Sequence, residues 1–119
     1  MTNIALVDDE QSILTSVSLS LQSEGFTVDT FINGVEALEA LESKSYDLGL
    51  FDIKMPKMDG NELLSKVRSS KVKKLKELPI IFLTSKDHEQ DEIIGLRMGA
   101  SDYIKNPFSQ KLLNESFFL

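Results

Sequence analysis

The chain has 119 residues, 41% of them hydrophobic and 27% charged, and its 19 acidic and 13 basic side chains give a net charge of −6. This length and composition predict one folded domain rather than a disordered or fibrous segment. The acidic balance disfavours binding of nucleic acid or an anionic membrane through bulk charge. The absence of cysteine and the single histidine, His88, exclude thiolate sites and multi-histidine zinc sites.

No stretch approaches the ~20 consecutive apolar residues that a membrane-spanning helix needs. The first residues lack the basic and apolar regions of a secretory signal. We therefore expect a cytoplasmic protein that makes no contact with a membrane.

The first part of the chain alternates short apolar runs with segments of helical periodicity. The run Ile4–Val7 predicts a buried strand, and apolar residues at helical spacing over residues 13–21 predict a helix that Gly25 ends. Residues 26–31 alternate with period two, which predicts a second strand. Asn33, with a glutamate three residues later, predicts the start of a second helix.

The same alternation continues through the middle of the chain. Residues 46–51 predict a third strand, and residues 52–60 form a loop with an Asp-Gly turn signal. A third helix begins around residues 63–67 and is expected to run into the lysine-rich stretch at residues 71–76. That stretch is interpreted as a solvated helix end rather than a nucleic-acid site, because the chain is acidic and no aromatic residue is interleaved.

The last part of the chain completes the pattern. Residues 79–83 predict a fourth strand buried on both faces, and Asp87 begins a helix that Gly99 ends. Residues 102–104 predict a short fifth strand, and residues 109–113 a last helix. Five strand–helix units predict a single α/β domain over residues 1–119, flavodoxin-like, with a parallel sheet in the order 2-1-3-4-5 and helices on both faces.

Three carboxylates follow strands that are neighbours in this order. Asp8 and Asp9 follow the first strand and Asp52 follows the third, at the sheet edge where such folds bind ligands. Two bare carboxylates ~4 Å apart repel each other by about 4 kcal/mol at an effective dielectric constant of 20. Oxygen ligands without histidine or cysteine suit Mg²⁺. Asp8 or Asp9 taken alone is also explained as a helix cap, whereas Asp52 lies too far from the next helix.

A metal-bound aspartate can act as a nucleophile toward phosphorus and form an aspartyl phosphate. Thr84, at the end of the fourth strand, could donate its hydroxyl to the phosphoryl oxygens. Its alternative role is that of a β-branched residue that ends a strand.

These motifs together resemble the receiver domain of two-component response regulators, which is also called CheY-like. The resemblance covers the whole chain and is carried by Val7-Asp8-Asp9-Glu10, Phe51–Gly60, Leu83-Thr84-Ser85, Gly99–Tyr103 and Pro107-Phe108. Residues 84–103 are similar to the OmpR/PhoB-type subfamily. Residues 4–8, 13–17, 51–56 and 108–110 are similar to ChvI-like alphaproteobacterial regulators.

The resemblance implies a role for each matching residue. Asp52 would be the phosphoacceptor, Asp9 a direct Mg²⁺ ligand and Asp8 a ligand through water, and the backbone carbonyl of Lys54 would complete the protein ligands. Thr84 would bind the phosphoryl group, and Tyr103 would then turn inward as part of the switch. The domain would catalyse only its own phosphorylation and dephosphorylation, so we do not expect an enzyme with a separate substrate.

The resemblance also implies partners. A histidine kinase would supply the phosphoryl group, and the output would be transcriptional, without direct contact between this domain and nucleic acid. The surface around the fifth strand, with the helices before and after it, would form a homodimer. A small aspartyl phosphohydrolase, a competing interpretation, would need a second aspartate two residues after the nucleophile, where Lys54 stands.

Two departures from the family pattern concern the end of the chain. The family has lysine immediately before the Pro-Phe pair, where this chain has Asn106, and its lysine stands one residue earlier at Lys105. We expect phosphorylation to persist but to stabilise the active state less, because asparagine supplies no charge; the alternative is a pseudo-receiver that acts as a constitutive binding module. The short fifth helix carries Ser116 where the subfamily has a basic residue. We also expect no output domain in this chain, as in either an excised or altered receiver or a stand-alone one. We therefore expect weakened dimerisation.

Overall fold

The computed structural model describes residues 2–85 and 102–106. Five strands and four helices lie within these residues, and each strand predicted from the sequence is present. The strands are β1 (Asn3–Val7), β2 (Thr27–Phe31), β3 (Leu48–Asp52), β4 (Ile80–Ser85) and β5 (Asp102–Asn106). The helices are α1 (Gln11–Ser23), α2 (Gly34–Ser43), α3 (Gly60–Arg68) and the one-turn helix α4 (Lys73–Lys76).

The strands form one parallel sheet in the order β2-β1-β3-β4-β5, which confirms the predicted topology. Val7 at the end of β1 lies between Phe31 of β2 and Phe51 of β3. Asp52, the last residue of β3, pairs with Leu83 of β4. The carboxyl ends of β1 and β3 therefore meet at one edge of the sheet.

Alternate residues of each central strand enter two different cores. Phe51 and Phe82 are fully buried on the face covered by α2 and α3. Leu50 and Leu83 are buried on the face covered by α1, whose own contributions are Leu14, Val17 and Leu21. Because the central strands are covered on both faces, β1, β3 and β4 are nearly continuous apolar runs.

The end of α1 shows how the sequence sets an element boundary. Gly25 has a φ of 94°, a left-handed conformation that glycine adopts without steric cost. Its N–H donates to the Gln22 carbonyl at 3.0 Å, and the Phe26 N–H donates to the Leu21 carbonyl at 3.2 Å. This pair of hydrogen bonds is a Schellman motif, and it confirms that Gly25 ends the helix.

The prediction that the third helix continues into the lysine-rich stretch is wrong. Helix α3 ends at Arg68, and the chain turns before the separate α4 begins at Lys73. The Arg68 guanidinium donates to the carbonyl oxygens of Lys76 at 3.0 Å and Leu78 at 2.6 Å, which holds the turned-back segment against α3.

The remaining predictions about the fold concern the last third of the chain. The helices predicted after Asp87 and Ser109 lie outside the described residues, as do His88, Pro107 and Ser116. Within residues 2–85 and 102–106, no helix has both the length and the apolar character needed to cross a bilayer.

Candidate functional site

Three carboxylates converge at the carboxyl edge of the sheet. The Asp8 N–H donates to the Phe31 carbonyl at 3.1 Å, so the strand path of β1 continues one residue past Val7. Asp52 ends the neighbouring strand β3. One carboxylate oxygen from each of Asp8, Asp9 and Asp52 lies within 4.8 Å of the others. The structure thus confirms that the three predicted residues meet, and we call them the aspartate cluster.

The helix-cap alternative for Asp8 and Asp9 is wrong. Helix α1 begins at Gln11 with Glu10 in the capping position, and no side chain forms a cap hydrogen bond there. The Asp8 carboxylate instead accepts the Glu10 N–H at 2.9 Å, before the first turn of the helix. The two aspartates are therefore not explained by the start of α1.

The members of the aspartate cluster differ in their access to solvent. Asp8 is 5% exposed and is the buried charged residue of the described core. Asp52 is half-buried and Asp9 is exposed. This gradient leaves Asp52 and Asp9 open to a ligand from solvent while Asp8 lies beneath them.

Burial and mutual repulsion raise the proton affinity of the cluster. Burial raises the pKa of Asp52 to about 8, and the negative charges of Asp8 and Asp9 add to this shift. Burial also raises the pKa of Asp8 to about 6, against the opposing effect of the Glu10 N–H hydrogen bond. Among residues 2–85, no lysine or arginine forms an ion pair with these carboxylates. The anionic form of the cluster is therefore electrostatically unfavourable unless a cation joins it.

The loop after β3 is held against Asp52 by the start of α3. The Asp59 carboxylate caps the helix by accepting the Glu62 N–H at 2.8 Å. The Gly60 N–H donates to the Ile53 carbonyl at 2.8 Å. A Cβ atom on Gly60 would overlap the backbone oxygen of Asp52, so only glycine allows this approach.

From the sequence, Asp59-Gly60 is predicted only as a turn. Neither the helix cap by Asp59 nor the close approach of Gly60 to the Asp52 backbone was predicted. The available signal was the spacing of Asp59 and Glu62, which matches a helix-capping pattern. Met55 and Met58 pack beneath the loop, since each is 8% exposed and belongs to the core of that face.

Backbone pairing places the other predicted residues near the same edge. Thr84 follows Leu83, the partner of Asp52, and pairs with Lys105. Tyr103 pairs with Phe82, and Asn106 pairs with Ser85. Both strands run two residues beyond their predicted ends at residues 83 and 104, so Thr84 and Asn106 lie within the sheet. The roles of Thr84, Tyr103 and Asn106 stay predictions.

The aspartate cluster fits Mg²⁺ by its donor chemistry. It offers oxygen ligands from three carboxylates, with neither histidine nor cysteine among them. Mg²⁺ prefers such ligands and retains waters at its remaining positions. Lys54, whose backbone carbonyl is a further predicted ligand, lies two residues beyond Asp52 in the loop after β3.

Comparison with known proteins decides the family. Residues 4–117 match the family model described as the response regulator receiver domain. The chain belongs to the response-regulator receiver family. Since this match spans nearly the whole chain, the resemblance found in the motifs is confirmed.

Curated relatives add the subfamily context. The chain is 40% identical over 111 residues to the alkaline phosphatase synthesis transcriptional regulatory protein PhoP of Bacillus subtilis, covering 93% of this chain and 45% of that protein. It is 38% identical over 113 residues to the transcriptional regulatory protein CpxR homolog of Haemophilus influenzae, covering 95% and 47%. The chain thus spans about half the length of these regulators. They bear out the OmpR/PhoB-type likeness, and the narrower ChvI-like one stays a prediction.

Solved structures show the same fold. The chemotaxis protein CheY4 of Vibrio cholerae superposes with a TM-score of 0.91 at 31% identity, covering 99% of this chain and 97% of that one. The receiver domain of the sensor histidine kinase PA1611 from Pseudomonas aeruginosa gives a TM-score of 0.88 at 29% identity, covering 97% and 93%. That structure holds a magnesium ion coordinated in its active-site cleft.

Proposed function

We propose that this receiver domain accepts a phosphoryl group on Asp52 from a histidine kinase and then controls a transcriptional output. The observation that carries this proposal is the convergence of three carboxylate oxygens within 4.8 Å, with Asp52 half-buried at the end of β3. Only a cation makes such a cluster favourable when it is ionised, and only a partly exposed carboxylate can meet a donor. Family membership and the transcriptional regulators among its relatives support the same assignment.

The transfer itself is a displacement at phosphorus. A carboxylate oxygen of Asp52 attacks the phosphorus of a phosphohistidine, the P–N bond breaks, and the imidazole nitrogen leaves with the electron pair. Loop residues hold Asp52 in place for this attack, because the Gly60 N–H contact fixes the backbone that follows β3. The domain modifies only itself in this reaction and turns over no separate substrate.

The aspartate cluster would hold Mg²⁺ through Asp9 and Asp52 directly, through Asp8 by way of water, and through the backbone carbonyl of Lys54. When bound, Mg²⁺ supplies positive charge that offsets the repulsion between these carboxylates and the incoming phosphoryl oxygens. The buried Asp8 carboxylate is itself held in place by the Glu10 N–H.

Thr84 and Tyr103 would carry the change outward in this proposal. The Thr84 hydroxyl would donate to the phosphoryl group, and Tyr103 would move toward the space that Thr84 leaves. Asn106 replaces the usual lysine and supplies no charge, so the phosphorylated state would be stabilised less and would dimerise weakly.

Incubation with acetyl phosphate and Mg²⁺, followed by intact mass measurement, tests the assignment. We expect the mass to increase by one phosphoryl group, and we expect the increase to disappear in Asp52→Asn or when EDTA removes the metal. Asp47→Asn is the matched control, since Asp47 lies at the opposite end of β3 and bonds the Asn3 N–H. It should still be modified.

Dimer formation, measured beside the mass, separates a phosphoryl-accepting receiver from the pseudo-receiver that Asn106 suggests. A pseudo-receiver would show no mass increase at all, and that result would overturn the proposed function. The proposed function would be supported if the chain takes up the phosphoryl group but forms little dimer, and if Asn106→Lys forms more dimer.

A further inference from the structure

Basic side chains are concentrated in one surface segment of this acidic chain. Residues 66–76 hold six of the 13 lysines and arginines and no acidic residue. Arg68 is used internally, through its hydrogen bonds to the carbonyl oxygens of residues 76 and 78. The other five are exposed and make no ion pair with any residue that the structure describes: Lys66, Lys71, Lys73, Lys74 and Lys76.

Two adjoining cavities lie between α2 and this segment. Their volumes are about 250 Å³ and about 740 Å³, and both are lined by Glu42, Val72 and Leu75. Lys74 lines the smaller cavity, whereas Lys66 and Lys71 line the larger one. We call this surface the lysine-rimmed groove.

The floor of the lysine-rimmed groove is apolar and partly uncovered. Val72 is 57% exposed at the point that the two cavities share, although Leu75 beside it is only 7% exposed. A partner that covers Val72 would bury aliphatic surface at roughly 25 cal/mol per Å². The groove therefore offers an aliphatic contact surrounded by ammonium groups.

The groove is held in shape before any partner arrives. The Arg68 guanidinium fixes the end of α4 to α3, and Leu75 anchors α4 in the core. A preformed surface loses less conformational entropy on binding than one that must first be ordered.

We propose that the lysine-rimmed groove binds an acidic segment of a partner protein that places an aliphatic side chain against Val72. Carboxylates of the segment face Lys66, Lys71 and Lys74, none of which forms an ion pair with a residue that the structure describes. The inference goes beyond phosphoryl acceptance and does not depend on it, because the groove contains none of the aspartate cluster.

Other anionic partners fit this groove less well. The Glu42 carboxylate lines both cavities, and a phosphate backbone, which is charged at every nucleotide, has no uncharged unit to place beside it, whereas a peptide can place an aliphatic side chain there. The aromatic residue in the lining, Tyr46, is 4% exposed, and its hydroxyl is bonded to Asp29, so it offers no face for base stacking. A concave floor around Val72 also suits a side chain better than a membrane surface.

Fluorescence anisotropy with a labelled acidic peptide tests the proposal. The probe is a glutamate-rich peptide with leucines at helical spacing, and its matched control carries serine at every leucine. We expect the leucine peptide to bind the wild-type chain, binding to weaken with salt, and the serine peptide to bind at least about fivefold less tightly. Val72→Ser should cause a similar loss with the leucine peptide.

Paired charge reversals separate the groove from bulk charge. Lys71→Glu with Lys74→Glu changes lysines that line the cavities, whereas Lys73→Glu with Lys76→Glu makes the same charge change outside them. We expect about tenfold weaker binding for the first pair and less than about threefold for the second. Thermal unfolding of each variant confirms that it is folded.

Three outcomes would overturn the proposal. One is equal loss in the two paired variants, which would mean that total charge and not the groove governs binding. Another is tighter binding of a single-stranded oligonucleotide or of vesicles with anionic lipid than of the leucine peptide. The last is the absence of peptide binding to the folded wild-type chain at low salt.

Discussion

Asp29 and Asp52 both lie in strands, but their surroundings shift the pKa values of their carboxyl groups in opposite directions. The Asp29 carboxylate accepts hydrogen bonds from the Lys44 ammonium and the Tyr46 hydroxyl, each at 2.7 Å, and these contacts lower its pKa. Asp52 has only carboxylates for charged neighbours in its cluster, and burial with their repulsion raises its pKa to about 8. Asp29 thus has a cationic partner within the chain, whereas Asp52 has none among residues 2–83.

The difference separates a structural carboxylate from a functional one. Asp29 joins the edge strand β2 to the segment between α2 and β3, where Tyr46 also packs edge-on against Phe31 at 6.5 Å. Asp52 and Asp8 hold their charges close together without a cation from the described chain, which lowers the stability of the ionised, metal-free fold. A site that costs stability in one state and regains it when a ligand binds is typical of function.

The largest expected effect is a pH dependence of the free energy of unfolding that the aspartate cluster causes. The folded pKa values of Asp52 and Asp8, about 8 and about 6, lie above the ordinary value of 3.8, so the folded state binds protons more tightly than the unfolded state. The metal-free protein should therefore lose stability as the pH rises from about 4 to about 9. Full conversion of the two shifts would give roughly 9 kcal/mol, and solvent screening of these partly exposed carboxylates reduces the expected loss to on the order of 3 kcal/mol. Urea unfolding at a series of pH values without metal measures this loss.

Mg²⁺ and Asp52→Asn provide the controls for that measurement. Saturating Mg²⁺ should restore most of the lost stability above pH ~8, because it binds the ionised folded cluster and not the unfolded chain. Asp52→Asn should flatten the pH dependence and make the metal-free protein more stable than wild type at that pH. An unchanged slope in this variant would contradict the assignment of the effect to Asp52.

A smaller effect is expected where the loop meets the cluster. Gly60→Ala places a Cβ atom against the Asp52 backbone oxygen and the Ile53 Cα, neither of which can move without displacing the end of β3. We expect a loss of about 2 kcal/mol in the free energy of unfolding and weaker Mg²⁺ binding. Ser65→Ala, at an exposed position of α3, should change stability by less than about 0.5 kcal/mol. Equal Mg²⁺ affinity in Gly60→Ala would mean that the loop does not position Asp52.

The aspartate cluster could be predicted from the sequence because its physical basis is topological. Parallel strands that alternate with helices end at a common edge, so residues after β1 and β3 had to meet. The apolar runs and Gly25 marked the strands and the end of α1 for the same local reasons. The upward pKa shift of Asp52 could not be predicted, since it depends on burial that only the packed loop defines.

The other contacts depend on long-range geometry that no local pattern reports. Nothing in residues 63–76 indicates that Arg68 reaches the Leu78 carbonyl, and lysine is a good helix former, so an unbroken helix was the natural expectation. Likewise, the period-two pattern of β2 does not show that Asp29 meets Lys44 and Tyr46. Side-chain hydrogen bonds that cross from one element to another are set by the final packing.

The smallest expected effect concerns Asp29. Two substitutions separate the contribution of its ion pair from that of its hydrogen bond. Asp29→Asn removes the ion pair with the Lys44 ammonium, whereas Tyr46→Phe removes only the hydroxyl and leaves that pair in place. At neutral pH each should lower the free energy of unfolding by about 1 kcal/mol or less, since Asp29 is about one-third exposed. The folded pKa of Asp29 is lowered, so its contribution is present above pH ~4 and is lost as the pH falls. As the pH falls, the free energies of unfolding of wild type and Asp29→Asn should therefore converge. Tyr46→Phe retains the ion pair, so its free energy of unfolding should fall with pH as that of wild type does. Parallel curves for all three proteins would show that the contacts of Asp29 do not lower its pKa.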